Sequence, residues 1–259
     1  MRIATWNVNS ITARLPRLLA WLESSGTDVL CIQETKCTAE QFPAEALREA
    51  GYESAVNATG RWNGVALLSR VGLTDVVTGL PGGPEYEGVQ EPRAISATCG
   101  PLRLWSVYVP NGREVEHEHY AYKLRWLEAL RKAAAAEVAG PLPFAVLGDF
   151  NVAPTDEDVW DPALFEGATH VTPAERAALT ALEAEGLGEV VPRPLKYDRA
   201  YTFWDYRELR FPKNKGMRID LTYGNAAFTA AVEDSYVDRE ERKGKGASDH
   251  APVVVDLDL

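Results

Sequence analysis

Carboxylate and amide residues stand at the ends of several strand-like apolar segments in this sequence. Glu34 closes the run from residue 28 to residue 33, and Asp149 closes the run from 145 to 148, with Asn151 two residues later. Loops at such strand ends can be polar while the sheet behind them stays rigid, which is where the catalytic sites of α/β proteins assemble. We therefore expect these side chains to converge in the folded chain.

The same placement recurs elsewhere along the chain. Asp220 lies at another strand boundary, Asp249 and His250 stand just before the run from Pro252, and Asn7 closes the first strand. Each residue taken alone could simply cap a helix or a turn, as Asp and Asn often do. Five strand ends that carry acids or amides, with one histidine beside them, favour a functional site over capping.

The type of ligand indicates the type of metal. Oxygen donors without a Cys/His cluster select Mg²⁺ or Mn²⁺ over Zn²⁺, and phosphoryl chemistry needs such an ion to neutralise charge on the phosphate oxygens.

The odd cysteine count without CxxC spacing argues against a disulfide framework and a zinc site: the cysteines are Cys31, Cys37 and Cys99. The remaining histidines are predicted to lie in solvated, polar surroundings: His117, His119 and His170.

Strand-like runs alternate with helical patterns, which predicts a mixed α/β fold. The predicted strands are Arg2–Val8, Asp28–Gln33, Gly64–Leu68, Leu102–Val109, Phe144–Leu147, Ile219–Tyr223 and Pro252–Leu257. The predicted helices are Leu15–Ser24, Ala44–Ala50, His119–Val138 and Pro173–Glu185. Thr172 and Glu175 have the spacing of a capping box at the start of the last helix. Gly79–Gly88 and Arg239–Gly246 are short, so we expect loops and not domain linkers.

Length and composition bound the answer further. With 259 residues and 46% hydrophobic content, we expect one domain over residues 1–259. No run approaches the roughly 20 apolar residues of a membrane span, and the start lacks a signal-peptide pattern, so we expect a cytoplasmic protein without a membrane partner.

The charge balance of 27 basic against 38 acidic residues, net −11, has the wrong sign for holding DNA by bulk electrostatics. Any nucleic-acid binding must therefore be local. The segment Arg199–Arg218 carries six basic residues and several aromatics, a composition suited to gripping a phosphate backbone. A charged run is usually only a solvated face, but the neighbouring aromatics favour binding here.

Seven short strings, in order and from residue 5 to residue 252, together resemble the exonuclease III and apurinic endonuclease family. They are Thr5–Asn9, Ile32–Lys36, Tyr108–Gly112, Gly148–Pro154, Tyr201–Arg207, Gly216–Asp220 and Ser248–Pro252. The GDFN and SDH strings also occur in the wider superfamily of endonucleases, exonucleases and phosphatases. The TFWDYR and GMRID segments and Gln33–Lys36 resemble its DNA-repair branch.

This resemblance implies a four-layer α/β sandwich, with two packed mixed β-sheets flanked by helices. It implies a Mg²⁺-dependent phosphodiesterase, with Mn²⁺ as a substitute, that incises duplex DNA 5′ to abasic sites. It also implies trimming of blocked 3′ ends, as a 3′-5′ exonuclease and 3′-phosphatase. We expect the partner to be double-stranded DNA with abasic sites or blocked 3′ ends, and the protein to act as a monomer.

By the same resemblance, Glu34 is the principal metal ligand, with Asn7 and Asp249 close to the ion. Asp149 orients and deprotonates the attacking water, and Asn151 positions that water. The residues expected around the metal are Asn7, Glu34, Asp149, Asn151, Asp249 and His250.

The resemblance also implies roles at the phosphate and along the DNA. His250 stabilises the developing charge with its ring fixed by Asp220, and Tyr108 directs its hydroxyl to the phosphate or the leaving oxygen. The residues expected to contact DNA are Asn111, Phe203, Trp204, Arg207, Met217 and Arg218. Among them Phe203, Trp204 and Met217, together with Ile219, are expected to form a pocket for an extruded base-free sugar.

Two alternatives differ in their sequence requirements. A superfamily phosphatase or lipid phosphodiesterase would lack the basic aromatic segment and would not need duplex DNA. A catalytically silent DNA-binding module would not need an intact acidic and histidine set, and that set is complete here.

Overall fold

The computed structural model describes residues 1–259 and contains two six-stranded mixed β-sheets. The strands are β1 (Arg2–Asn7), β2 (Val29–Gln33), β3 (Glu53–Asn57), β4 (Val65–Ser69), β5 (Thr74–Thr78), β6 (Ala94–Cys99), β7 (Leu102–Tyr108), β8 (Phe144–Asp149), β9 (Gly188–Glu189), β10 (Asp220–Gly224), β11 (Val232–Val237) and β12 (Val253–Leu257). The helices are α1 (Ile11–Ser25), α2 (Ala44–Glu49), α3 (Glu118–Val138), α4 (Pro173–Ala184) and α5 (Ala226–Ala230).

The strands form two sheets that pack face to face. The first sheet has the order β11-β12-β1-β2-β4-β3 and the second the order β5-β6-β7-β8-β10-β9. One buried apolar cluster lies between them, with residues such as Ile3 and Leu67 from the first sheet and Leu104 and Leu147 from the second. This burial of apolar side chains from both inner faces holds the sheets together.

Helices cover the two outer faces. Leu18 of α1 and Leu47 of α2 pack in a cluster with Trp6 of the first sheet. Trp126 of α3 lies in the corresponding cluster on the second sheet, and α4 packs against α3 in the same layer. The predicted four-layer α/β sandwich is confirmed. No helix is long and apolar enough to cross a membrane.

The capping box predicted before α4 is present, because Thr172 accepts from the Glu175 backbone N–H while the Glu175 side chain accepts from the Thr172 backbone. All seven predicted strands and four predicted helices are found, with ends shifted by a few residues. The largest helix shift is at α1, which begins at Ile11 with Ser10 as its cap. Five strands were missed: β3, β5, β6, β9 and β11.

Strand register brings the candidate residues to one end of the sandwich. In the second sheet, Asp149 at the end of β8 is paired with Tyr108 on one side and with Asp220 on the other. In the first sheet, Asn7 is paired with Gln33, the residue before Glu34. Acidic and amide side chains from both sheets therefore meet at one edge.

A buried polar link joins the sheets directly beneath this edge. The Gln33 amide nitrogen donates to the hydroxyls of Thr5 and Ser106, at 3.0 Å each, and the Ser106 hydroxyl donates to the carbonyl of Ile32 at 3.0 Å. Gln33 and Ser106 are fully buried. Buried hydrogen-bonded groups of this kind fix a unique relative position of the elements they join.

Gly148 lies directly before Asp149, at a point where β7 and β8 come unusually close. A Cβ atom at this position would lie 1.9 Å from the carbonyl oxygen of Val107. We predict that Gly148→Ala pushes β8 away from β7 and lowers the free energy of unfolding by about 1–3 kcal/mol, the usual range for overpacking. Chemical denaturation measures this loss.

Gly60→Ala serves as the matched control, because a Cβ at Gly60 would meet nothing within 4 Å. Equal stability of the two variants would show that β7 and β8 separate at no cost.

Candidate active site

Three side chains at the shared edge of the sheets form a compact cluster. Glu34, Asp149 and His250 each offer one ligand atom, and these atoms all lie within 4.8 Å of one another. Carboxylate oxygens at this spacing can hold a divalent cation, whereas an imidazole is a ligand only in its neutral form. Glu34 comes from the end of β2, Asp149 from the end of β8, and His250 from the loop before β12.

Asn7 bridges the two carboxylates of this cluster. Its amide nitrogen donates to Glu34 at 2.9 Å and to Asp149 at 3.0 Å, and its amide oxygen accepts from the Asn9 backbone at 3.0 Å. Asn7 is fully buried at the end of β1. The donors of one amide are thus used to hold two negative groups side by side.

His250 is held by Asp220 on one side and faces Asp149 on the other. The Nδ1 atom of His250 lies 2.8 Å from the Asp220 carboxylate, and Nε2 lies 3.8 Å from that of Asp149. Burial acts to lower the pKa of His250, but the two carboxylates outweigh it and raise the pKa to about 10. The imidazole is therefore a cation near neutral pH, with a donor directed into the cluster.

Burial, together with the nearby negative charges of Asp220 and Glu34, raises the pKa of Asp149 to about 7. The Asp149 carboxylate also accepts a hydrogen bond from the backbone N–H of Asn151 at 2.9 Å. A carboxyl group with a pKa near neutrality can accept a proton and release it again, as a general base must do.

Lys36 ends the Ile32–Lys36 string, and no function was predicted for it from the sequence. Its ammonium lies 2.7 Å from the Glu34 carboxylate and also donates to the amide oxygen of Asn9. Asn9 in turn donates to Asp249 at 3.0 Å. Burial acts to raise the pKa of Glu34, but Lys36, Asn7 and His250 together more than offset it, so that the pKa is lowered. Asp249 lies at the edge of the cluster, where Asn9 and Lys36 connect it to Glu34.

Tyr108 lies beside the acidic cluster with its ring against a buried guanidinium. The Arg93 guanidinium is 4.8 Å from the ring centroid and also donates to the Tyr108 carbonyl at 3.3 Å. Burial, together with the charges of Glu34 and Asp149, raises the pKa of Tyr108 well above its usual range. The phenol therefore keeps its proton and can act as a hydrogen-bond donor.

Asn151 and Asn111 form an interacting pair on the other side of Asp149. The Asn111 amide nitrogen donates to the Asn151 amide oxygen at 3.2 Å, and the Asn151 amide nitrogen donates to the carbonyl of Val109 at 2.9 Å. Asn111 is exposed and Asn151 is buried. The pair links the edge of the cluster to the protein surface.

Several residues here adopt left-handed backbone conformations that non-glycine residues rarely adopt. The φ angles are 54° at Glu34, 46° at Asn9 and 51° at Asn151. Such conformations persist where the surrounding structure enforces them, and they concentrate at functional sites.

The family model for the endonuclease/exonuclease/phosphatase family matches residues 4–250. The chain belongs to this family. Recombination repair protein 1 of Drosophila melanogaster is 32% identical over 260 residues, which is 98% of this chain and 37% of that protein. DNA repair nuclease APEX1 of Danio rerio is 30% identical over 264 residues, or 99% of this chain and 82% of that protein.

Solved structures of family members have the same fold over the full length of both chains. The 3′-5′ exonuclease NExo from Neisseria meningitidis has a TM-score of 0.94 at 35% identity, and another NExo structure, described as a 3′ phosphatase, contains a product DNA hairpin. An AP endonuclease from Archaeoglobus fulgidus has a TM-score of 0.92 at 32% identity. The family assignment made from the sequence motifs is confirmed.

Two residues expected to contact DNA have buried side chains in the structure. Trp204 is 1% exposed and packs in an apolar cluster with Val253 of β12. Arg218 is 5% exposed, and its guanidinium is held by the carboxylates of Asp158 and Glu189. Trp204 was expected in the sugar pocket and Arg218 in the basic segment, because adjacent polar and aromatic residues do not reveal long-range burial.

The other pocket residues differ in their exposure. Met217 and Ile219 are buried, at 5% and 3% exposure, whereas Phe203 is partly exposed, with its ring centroid 4.9 Å from that of His250. Arg207 is exposed and paired with Asp205 at 2.6 Å. Phe203 is thus the member of the predicted pocket that borders the cluster.

The basic segment is less available for DNA than its composition suggested. Its four arginines are all paired with carboxylates: they are Arg199, Arg207, Arg210 and Arg218. Two arginines outside the segment, Arg61 and Arg113, are in contrast exposed. Arg61 lies over the Trp62 ring and Arg113 lies beside His117, and neither is paired with a carboxylate. The sequence does not reveal that these two arginines are free of ion pairs, because ion pairing depends on tertiary contacts.

These two arginines line an open cavity of about 550 Å³ next to the cluster. Trp62, which is 65% exposed, and Arg93 are also part of its wall. The contact of Arg93 with Tyr108 joins the cavity to the cluster. No pattern in the sequence predicted this cavity.

The prediction that the other histidines are solvated was wrong for His119. Its side chain is 5% exposed, accepts from the Gly112 backbone at 3.1 Å and packs against the ring of Tyr86 at 5.0 Å. Burial lowers the pKa of His119 to about 4, so it is neutral at physiological pH. It helps to shape the wall of the cavity.

We predict that Trp204→Ala unfolds the protein more readily, because truncating a fully buried indole leaves a large void. The expected loss in unfolding free energy is about 3–5 kcal/mol, measured by chemical denaturation. Trp62→Ala is the control, and its exposed side chain should cost no more than about 0.5 kcal/mol. A Trp204→Ala variant as stable as the wild-type protein would contradict a packing role for Trp204 and favour a role in substrate contact.

Proposed function

We propose that this DNA-repair nuclease is Mg²⁺-dependent, incises duplex DNA 5′ to abasic sites and trims blocked 3′ ends, acting as a monomer over residues 1–259. The observation that carries this is the convergence of Glu34, Asp149 and His250. Relatives of the chain are named as a DNA repair nuclease, an AP endonuclease and a 3′-5′ exonuclease.

The donor chemistry of the cluster fits a hard divalent cation. Glu34 and Asp249 would hold the ion with carboxylate oxygens, and Asn7 fixes the Glu34 carboxylate from behind. When bound, Mg²⁺ supplies charge neutralisation on the phosphate oxygens. Carboxylate and amide oxygens are the ligands that Mg²⁺ prefers over Zn²⁺. Lys36 balances part of the negative charge at Glu34.

Asp149 is assigned as the general base that takes a proton from the attacking water. Its carboxylate is oriented by the Asn7 amide at 3.0 Å and by the Asn151 backbone N–H at 2.9 Å. Both donors direct the carboxylate toward one position and prevent rotation away from the substrate. The side chain of Asn151, which is bonded to Asn111 and to the Val109 carbonyl, is assigned to the placement of that water.

His250 and Tyr108 are assigned to the phosphate. The cationic imidazole donates from Nε2 toward the phosphate oxygen on which charge develops, while its Nδ1–H donates to the Asp220 carboxylate. The phenol of Tyr108 keeps its proton and donates it as a hydrogen bond to the phosphate or to the leaving oxygen. Both donors are held in place before the substrate arrives, which is the condition for electrostatic catalysis.

The cavity beside the cluster supports a nucleic-acid substrate over a lipid or inositol phosphate. Arg61 and Arg113 provide charge for a phosphate backbone, and Trp62 provides an exposed aromatic surface for bases or sugars. Phe203, in contact with His250, is assigned to the wall that receives a base-free sugar. Asn111 lies on the same surface and is assigned to the strand near the cut.

The deciding experiment uses purified protein and labelled duplexes. One duplex carries a single abasic site and a second carries a 3′-phosphate at a nick, each incubated with Mg²⁺ and with excess chelator. We expect cleavage 5′ to the abasic site and removal of the 3′-phosphate, both abolished by the chelator and restored by Mg²⁺ or Mn²⁺. Activity in chelator, or on small phosphodiesters alone, would contradict the proposal.

We predict that Asp149→Asn lowers kcat by about 100- to 10,000-fold, the range for loss of a general base, while duplex binding survives. The substitution preserves shape and removes the proton acceptor. Single-turnover kinetics and a binding titration separate the two effects. Asp198→Asn, on an exposed residue, is the control, and a kcat within about threefold of wild type for Asp149→Asn would assign the base elsewhere.

A further prediction concerns Arg61 and Arg113. Because phosphate contacts release counterions, the double substitution Arg61→Ala/Arg113→Ala should reduce the slope of log K against log salt by about 2. Fluorescence anisotropy with a labelled duplex over a salt series measures this slope. Arg125→Ala is the control, since Arg125 is exposed but does not line the cavity. Identical slopes for all three proteins would place the DNA elsewhere.

A further inference from the structure

A lysine and a glutamate form a buried ion pair behind the candidate active site. Lys123 of α3 and Glu175 of α4 are in direct contact, and both side chains have 0% exposure. Fully buried charged residues are rare, because removing each charge from water costs several kcal/mol. Neither residue belongs to the catalytic cluster.

Glu175 is fully occupied by donors around the start of α4. One carboxylate oxygen accepts from the His170 backbone N–H at 3.0 Å and lies 2.7 Å from the Thr169 hydroxyl. The other accepts from the backbone and hydroxyl of Thr172, at 3.0 and 2.8 Å. The carboxylate is thus fixed independently of Lys123, and it offers a rigid anchor for the ammonium.

The Lys123 ammonium reaches from this anchor to two backbone carbonyls at the active site. It donates to the carbonyl of Asn151 at 2.6 Å and to that of Asn111 at 3.2 Å. These are the two asparagines whose side chains are hydrogen-bonded to each other at 3.2 Å. One buried cation therefore connects the loop after β7 to the loop after β8.

His170 reinforces the same connection. Burial lowers the pKa of His170 to about 4, so the ring is neutral near pH 7 and carries one proton. Its Nδ1 atom is hydrogen-bonded to the carbonyl of Asn151, which assigns the proton to Nδ1, and Nε2 then accepts from the Asn111 amide at 3.4 Å. Both asparagines are thus held at two points.

Contacts other than this pair also hold α3 against α4. A second ion pair, Arg131 with Glu185, already joins the two helices at a partly exposed position, and apolar residues of both lie in one cluster. The Asn151 backbone, in contrast, adopts a φ of 51° and needs support to remain there.

We propose that Lys123, anchored by Glu175, is a positioning residue for catalysis, which sets the Asn111 and Asn151 loops at their working separation. This role rests on the proposed function, since it acts through the assigned tasks of the two asparagines. Lys123 contacts neither substrate nor the reacting atoms.

The test uses the double variant Lys123→Met/Glu175→Gln. It removes both charges together, so that neither is left buried without a partner. The glutamine oxygen can still accept from Thr172 at the start of α4, whereas the His170 backbone N–H loses its acceptor. We expect kcat for abasic-site incision to fall about 10- to 100-fold, the scale of a small displacement of a catalytic group, with KM changed less than about threefold. The melting temperature should fall modestly, because the His170 N–H loses its acceptor, so kcat is measured well below that temperature.

The control variant is Arg131→Met, which breaks the other contact between the same helices. It should lower the melting temperature slightly and leave kcat unchanged. A double variant with wild-type kcat, or a loss of kcat that only parallels the loss of stability across both variants, would overturn the positioning role.

Hydrogen–deuterium exchange of the substrate-free protein provides a readout independent of activity. In the double variant, exchange should rise in peptides covering residues 109–113 and 149–153 and remain unchanged in the central strands. Unchanged exchange in these two loops would overturn the proposal even if activity fell. If wild-type protein failed to cut the abasic duplex, the proposed function would fail while the exchange result still tested the loop contacts.

Discussion

The repulsion between carboxylates gathered in a buried position is the constraint on which the structure of this site depends. Glu34, Asp149 and Asp220 lie in a small volume with little water to screen them. One imidazole, one ammonium and a bridging amide offset part of that repulsion. The remaining negative charge attracts a cation, and rigid strands on both sides prevent the acids from moving apart. The repulsion lowers the stability of the folded protein, but it keeps the site preorganised for a cation.

Much of the site followed from the sequence because local patterns determine it. Asp149 and Glu34 end apolar runs, and a strand end places its last side chain at the edge of the sheet whatever else the chain does. The motifs then supplied the family, and with the family the four-layer fold. The missed strands were those without a strong apolar pattern, such as β5, in which every residue is exposed.

What the sequence did not reveal depends on contacts between distant segments. Trp204 and Trp62 are the same residue type, yet one is 1% exposed and the other 65%, and no local feature distinguishes them. The arginines of the predicted basic segment have partners as distant as Asp158, which no charge count can anticipate. In the sequence Lys123 looks like an ordinary surface lysine. It is buried because α4 covers it and supplies the partner Glu175.

The loop Gly79–Gly88 separates the site residues along the chain into two groups. Asn7 and Glu34 precede it, whereas Tyr108, Asp149 and His250 follow it, and the first sheet includes strands from both sides of it. A chain cut in this loop would yield two pieces, each with only part of the site and neither able to hydrolyse a phosphodiester. Nuclease activity recovered on mixing them would report their reassembly, so the architecture lends itself to a split enzyme.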